Sequence, residues 1–288
     1  MVSALMIVAF LAASSGVLWG SDSSSEPVKA FVSILPQAYF VNRVGGHYVD
    51  VEVLVGPGQS PATFEPTPRQ MSRLGESSIY FSIGVPFEKV VIPKIKNIFK
   101  DLRIADTSSG VKKRYFSHEG GTQVSDPHIW LDPKRVKIIA GTICQELSRI
   151  DPLHSNEFEQ NLESFEHDLD SLDQNIAETL KPFAGRKIVV FHPAFGYFAQ
   201  SYGLEQLAVE VEGKEPSARQ LSDLIARARA EKVRIIFVQP QFSKKNAQTI
   251  AQAIGGAVVP INPLPEDYLR ELEGMAEKIR DALSRNET

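Results

Sequence analysis

Cysteine is nearly missing from this 288-residue chain: Cys144 stands alone, so no intramolecular disulfide can form, and a core position within a helix is its expected place. Basic clusters are missing too. Thirty-one Lys and Arg face 35 Asp and Glu, and the formal charge of −4 and pI near 5.9 leave no electropositive footprint for nucleic acid. There is no acidic tail, no short-period repeat and no low-complexity tract. The chain also lacks G-x-S-x-G, H-E-x-x-H, a P-loop and G-x-G-x-x-G, and no nucleophile stands with a histidine in a recognisable arrangement. These absences argue against an enzyme.

At the N-terminus is VSALMIVAFLAA, an apolar run of signal-peptide length, followed by the polar SDSSSEP. Residues 1–25 are read as an export leader, which predicts a periplasmic product. With no cysteine near the run, a lipoprotein anchor has no attachment point. No Lys or Arg precedes Lys29 and no clean small-x-small site follows, which leaves the true start and the cleavage site open.

After the leader, strand-like and helix-like segments alternate. VKAFVSILP, YVDVEVLVG, SSIYFSIG and LRIAD read as strands, with a short helix at TPRQMSRLG. Thr67, Pro68 and Gln70 form the capping box of that helix. PFEKVVIPKIKN reads as a helix that Pro93 should bend or interrupt, and residues 107–127 read as a loop. Phe158, Leu162, Phe165, Leu169, Leu172, Ile176 and Leu180 then recur every three or four positions with no Pro or Gly between them, predicting one helix roughly 40 Å long. Past it the alternation restarts at RKIVVFHP and continues through LEQLAVEVEG, a helix capped by Ser217 and Gln220, RIIFVQP, FSKKNAQTIAQAIG, AVVPINP and a closing helix. The pattern predicts an α/β protein of two similar lobes, each with a largely parallel sheet flanked by helices. The expected boundaries are 26–151 for the first lobe, 152–184 for the connecting helix and 185–288 for the second lobe.

In open α/β sheets ligands bind beyond the carboxyl ends of the strands. That rule singles out His192 after IVVF, Gln239 after IIFV, Asn262 after AVVPI and the loop GPGQSPATFEP after VEVLV. DPHIWLDP adds His128, held between Pro127 and the helix that Asp132 and Pro133 open. Imidazole at a rigid strand end is a common ligand for zinc and other first-row metals, although each of these histidines could equally be an ordinary buried or loop residue. His118 could supply a third nitrogen from the 107–127 loop.

GPGQSPATFEPTP, DPHIWLDP, FHPAFGYFAQSYGL, EPSA and NPLPEDY, in this order over essentially the whole mature chain, resemble the zinc- and manganese-binding solute-binding proteins of bacterial ABC transporters. The resemblance implies two lobes joined by a rigid helix, a single Zn2+ or Mn2+ held in the cleft as transported ligand, and an ABC transporter permease as partner of a monomeric chain. It implies four ligand positions, two per lobe. His128 and His192 match two of them, whereas Ala62 occupies a histidine position and Asn262 an aspartate position. A weakened or rebuilt site follows, with Glu65 the nearest replacement carboxylate in sequence. Two other readings stay open: a divergent binding or accessory protein whose cleft takes a non-metal solute, and a metal-dependent hydrolase.

Overall fold

The computed structural model describes residues 26–117, 123–210, 218–230, 233–242 and 244–285. The leader, His118 and the cap at Ser217 lie outside the described residues.

Four parallel strands, β1 (Val28–Ile34), β2 (Val49–Val55), β3 (Ile79–Ser82) and β4 (Arg103–Asp106), form the first sheet in the order β2-β1-β3-β4. The two central strands, β1 and β3, are buried almost throughout, as the middle of a sheet covered on both sides requires, whereas the edge strands β2 and β4 carry exposed charged residues. Between its strands lie α1 (Leu35–Gly45), α2 (Pro68–Gly75) and α3 (Glu88–Ile98). Thr67 accepts the Gln70 N–H and Gln70 reaches back to the Thr67 N–H, closing the expected capping box. Of the two outcomes expected at Pro93, interruption does not occur, and α3 runs on through it. Its missing N–H leaves only the Lys89 carbonyl without a helical donor, and both residues are exposed to water.

The segment expected to be a loop contains a small antiparallel hairpin, β5 (Tyr115–Ser117) with β6 (Gln123–Ser125). Three-residue strands carry too little periodicity to announce themselves. Helix α4 (Pro133–Ile150) follows, with Asp132 accepting from the Lys134 N–H as N-cap. The 26-residue α5 (Ser155–Leu180) is the predicted long helix, and Phe158, Phe165, Leu169, Leu172, Ile176 and Leu180 are all buried along one stripe.

The second sheet has the order β10-β9-β7-β8, all parallel, from β7 (Lys187–Val190), β8 (Glu205–Ala208), β9 (Ile235–Val238) and β10 (Ala257–Pro260). Helices α6 (Gly196–Ser201), α7 (Ala218–Ala230) and α8 (Lys244–Ala253) accompany it. The closing helix α9 (Tyr268–Ser284) packs along α5 rather than remaining with the second sheet alone. Its Tyr268 lies edge-on to Phe40 of α1 and donates a hydrogen bond to the Trp130 carbonyl, so one continuous apolar core runs from the first lobe through α5 into the second. A smaller separate core, including Val189, Ile236, Val238 and Ile250, backs the far face of the second sheet. Among the described residues no helix is long and apolar enough to cross a membrane.

Candidate metal centre

In both sheets the chain order reverses beside a central strand: β1 lies between β2 and β3, and β7 between β8 and β9. Crevices open at such points beyond the carboxyl ends of the strands. Here the two crevices face each other across one cleft of about 1130 Å3, bordered by Ala62, Glu88, His128, His192 and Glu210 among others.

The local sequence explains how His128 is held. Asp126 Oδ1 accepts the His128 backbone N–H at 3.0 Å, an Asx turn that Pro127 stiffens, and the same oxygen lies 2.8 Å from His128 Nδ1. Beyond His128, Ile129–Leu131 form a single 3-10 turn before the Asp132 cap. Trp130 Nε1 donates to the Pro263 carbonyl at 2.6 Å. The Tyr197 hydroxyl donates to the Asp126 carbonyl at 3.0 Å, and the Ser201 hydroxyl donates to Asp132 Oδ2 at 2.6 Å. DPHIWLDP is therefore bolted to the segment that follows β7. With Asp126 and Asp132 both essentially inaccessible, these bonds form where water competes little.

His192 is held from the other side. Gln239, just past β9, accepts the His192 N–H through Oε1 at 3.1 Å and donates through Nε2 to the His192 carbonyl at 2.8 Å, bracketing the backbone across the β7–β9 crevice. The Phe242 ring stacks on the imidazole with 5.2 Å between centroids, and His192 Nδ1 lies 2.8 Å from Oε2 of buried Glu210.

A carboxylate can only accept, so both Nδ1 atoms carry the proton and both Nε2 atoms present lone pairs. The two Nε2 atoms are 3.3 Å apart. Two bare lone pairs at that distance repel, so the geometry favours a cation or a shared proton between them. Burial lowers the His128 pKa, and His192 lowers it further against the opposing pull of Asp126, so the ring stays neutral and ready to coordinate.

The other sequence candidates fall elsewhere. Ala62 borders the cleft with a methyl group. Asn262 Oδ1 accepts the Leu264 N–H at 3.0 Å and its Nδ2 donates to the Leu264 carbonyl at 3.1 Å and toward Glu271 at 3.4 Å; its neighbours Pro263 and Leu264 border the cleft instead. Glu65 is exposed, on the loop whose Ser60, Pro61 and Ala62 reach the cleft. Among the described residues no group of three or more His, Cys, Asp or Glu side chains is placed to hold a metal ion. Sequence reasoning missed Glu210, which it left inside a longer strand; β8 ends at Ala208, and a carboxylate two residues beyond a strand end was the available signal. Asp126 was visible in DPHIWLDP without a role.

Comparison with known proteins identifies the family and the fold. The model of the family described as "Zinc-uptake complex component A periplasmic" matches residues 31–282. The high-affinity zinc uptake system protein ZnuA of Bacillus subtilis is 24% identical over 293 residues, covering 97% of this chain and 89% of that protein. A putative metal-binding protein of Chlamydia muridarum is 24% identical over 281 residues, covering 96% of this chain and all of that one. The chain spans about half the length of the zinc-binding protein AdcA of Streptococcus pyogenes, at 25% identity over 273 residues. A crystal structure of ZnuA superposes with a TM-score of 0.85 at 38% identity, covering 89% of this chain and 99% of that one, and a ZnuA deletion mutant with zinc bound gives 0.84 at 39%. With two parallel-sheet lobes, a long connecting helix and a family match over nearly the whole described chain, the chain belongs to the periplasmic zinc-uptake component A family.

Proposed function

We infer that this chain is the periplasmic zinc-binding component of an ABC importer, a monomer that carries its metal to the permease in a rebuilt site centred on His128 and His192. The observation that carries the reading is the 3.3 Å separation of the two Nε2 atoms, each on a ring whose Nδ1 is held by a buried carboxylate. Two nitrogen ligands of a tetrahedral zinc at about 2.0–2.1 Å from the ion stand about 3.3–3.4 Å apart. The pair therefore has the spacing of one edge of a zinc tetrahedron. Asp126 and Glu210 supply two negative charges just behind the rings, which offsets the dication where an aspartate has become Asn262.

Two imidazoles favour zinc over manganese, whose preference runs to oxygen donors. Asn262, Glu65 and His118 are the remaining protein groups that could add a donor, each requiring a rearrangement or a segment beyond the described residues. Metal content and affinity of the purified mature chain at neutral pH test the reading. One zinc per chain, lost on removing both histidines, is the expected result; a chain that binds no zinc would sink it.

A further inference from the structure

Two imidazoles do not complete a zinc site, which closes with four ligands or expands to five. No third His, Cys, Asp or Glu completes a metal-binding group with them among the described residues, and Ala62 brings only a methyl group to the cleft border. The cleft around them is also far too large for an ion. One water claims about 30 Å3, and a volume of about 1130 Å3 slightly exceeds the roughly 300–1,000 Å3 of pockets that take organic ligands of drug size, leaving room for one in this open cleft.

The cleft walls have the chemistry of such a ligand. Val85, Ile92, Phe116 and Leu264 give them apolar surface, and Lys89, Lys96 and Lys113 border the same space. The acidic residues nearby are already engaged: Asp106 Oδ1 accepts the Ser108 N–H, Glu88 accepts the Ile83 and Gly84 N–H groups, and Glu210 serves His192. On the second lobe, Gln241 borders the cleft with a buried Oε1 that has no hydrogen-bond partner among the described residues. A buried acceptor without a donor is costly, and turning this cleft-bordering side chain toward a ligand N–H would relieve it.

We propose that the cleft takes zinc as a complex with a small aminodicarboxylate chelator bearing an apolar group. The chelator's nitrogen and two carboxylate oxygens complete the coordination that His128 and His192 begin, giving five ligands. Its remaining carboxylate oxygens meet the lysines, its N–H donates to Gln241, and its apolar group covers the wall between Ile92 and Leu264. This inference rests on the reading of the two histidines as zinc ligands.

Equilibrium dialysis of the full chain tests it, with N-carboxymethyl-L-phenylalanine as the probe, because that molecule holds zinc through one nitrogen and two oxygens while keeping an N–H and a benzyl group. Zinc and chelator are assayed separately on the protein. Retention of both in equal amounts is expected, about tenfold weaker with iminodiacetate, which lacks the benzyl group, and about tenfold weaker in Gln241→Leu or Lys113→Glu. Those two variants should bind zinc alone as the parent does. Zinc retained while the chelator is excluded would overturn the chelate inference and leave the zinc-binding reading standing. Failure to retain either overturns both. Equal retention by the His128→Ala, His192→Ala variant would place the complex elsewhere and overturn the chelate inference as well.

Discussion

The two walls of the cleft make the same investment in one residue and opposite ones in another. Each presents an imidazole whose Nδ1 is fixed by a buried carboxylate, Asp126 for His128 and Glu210 for His192. Each also carries a residue that the family resemblance would align with a second ligand position, Ala62 on one wall and Asn262 on the other. On the first lobe Ala62 simply ends at a methyl group at the cleft border, whereas on the second Asn262 has been recruited into a turn with Leu264 and a contact with Glu271. The first position offers no donor, and the donor atoms of the second are tied up locally. Either position could change without disturbing the scaffold, because lobe packing runs through α5, Trp130 and Tyr268.

The hardest test of the symmetric half of this comparison removes both rings. In His128→Ala, His192→Ala, zinc affinity should fall by more than about a thousandfold, since among the described residues no other imidazole borders the cleft. Titration calorimetry of parent and variant measures it. Binding that survives would mean the two rings are structural and the zinc lies elsewhere.

The first wall carries a second, electrostatic peculiarity that the other lacks. Glu88 opens α3 at the cleft border with 3% exposure, and burial pushes its carboxyl up to about 7, against hydrogen bonds from Ser33 and the Ile83 and Gly84 amides. A carboxyl whose folded pKa lies above its unfolded value near 4.5 contributes stability below the unfolded value, and that contribution is lost as pH rises through the folded one. About 3 kcal/mol should therefore disappear between roughly pH 4.5 and 7 from this group. Denaturant unfolding of the metal-free chain across that window should show the decline, and Glu88→Gln should flatten it even though its Nε2, set against the one backbone N–H that the replaced oxygen accepted, lowers stability throughout. An unchanged slope in the variant would assign the decline to other groups.

The carboxylates behind the rings come next. Asp126→Asn and Glu210→Gln each permit the wrong imidazole tautomer and remove a compensating charge, so each should weaken zinc binding by about 10–100-fold. Competition with a chromogenic chelator reads the change. If only one of the two matters, the walls are not equivalent and the symmetric half of the comparison breaks.

The sequence made much of this scaffold legible because its signals are local. The capping box at Thr67 and the Asp132–Pro133 helix start were readable from adjacent residues, and α5 from an uninterrupted apolar period. His128 and His192 were locatable through strand ends and motif, but their 3.3 Å approach depends on two lobes folding against one helix, which no window of sequence contains. Glu210 escaped for a related reason: alternation continues through LEQLAVEVEG, while the parallel pairing of β8 to β7 reaches only Ala208. The tie between Asn262 and Leu264 is a two-residue Asx turn, and an asparagine oxygen suits such a turn as well as it suits a metal, so residue type alone does not separate the two.

The smallest expected effect separates the two losses. Ala62→His introduces a donor at a position that already borders the cleft, on an exposed loop free to adjust, and should raise zinc affinity about tenfold, or roughly 1.4 kcal/mol. Asn262→Asp restores a carboxylate but keeps its acceptor bond to the Leu264 N–H, loses the N–H that reaches the Leu264 carbonyl, and sets a negative charge facing Glu271 Oε2 where an amide stood 3.4 Å away. Its gain should stay below about threefold, because the like-charge contact offsets the attraction to zinc. In the double variant, the new imidazole supplies the metal attraction needed to draw the carboxylate out of its turn, so the combined gain should exceed the sum of the singles. Zinc titrations of the four proteins decide it. An Asn262→Asp single variant that outperforms Ala62→His would show that the turn gives way easily, and that the second wall accepts a new ligand more readily than the first.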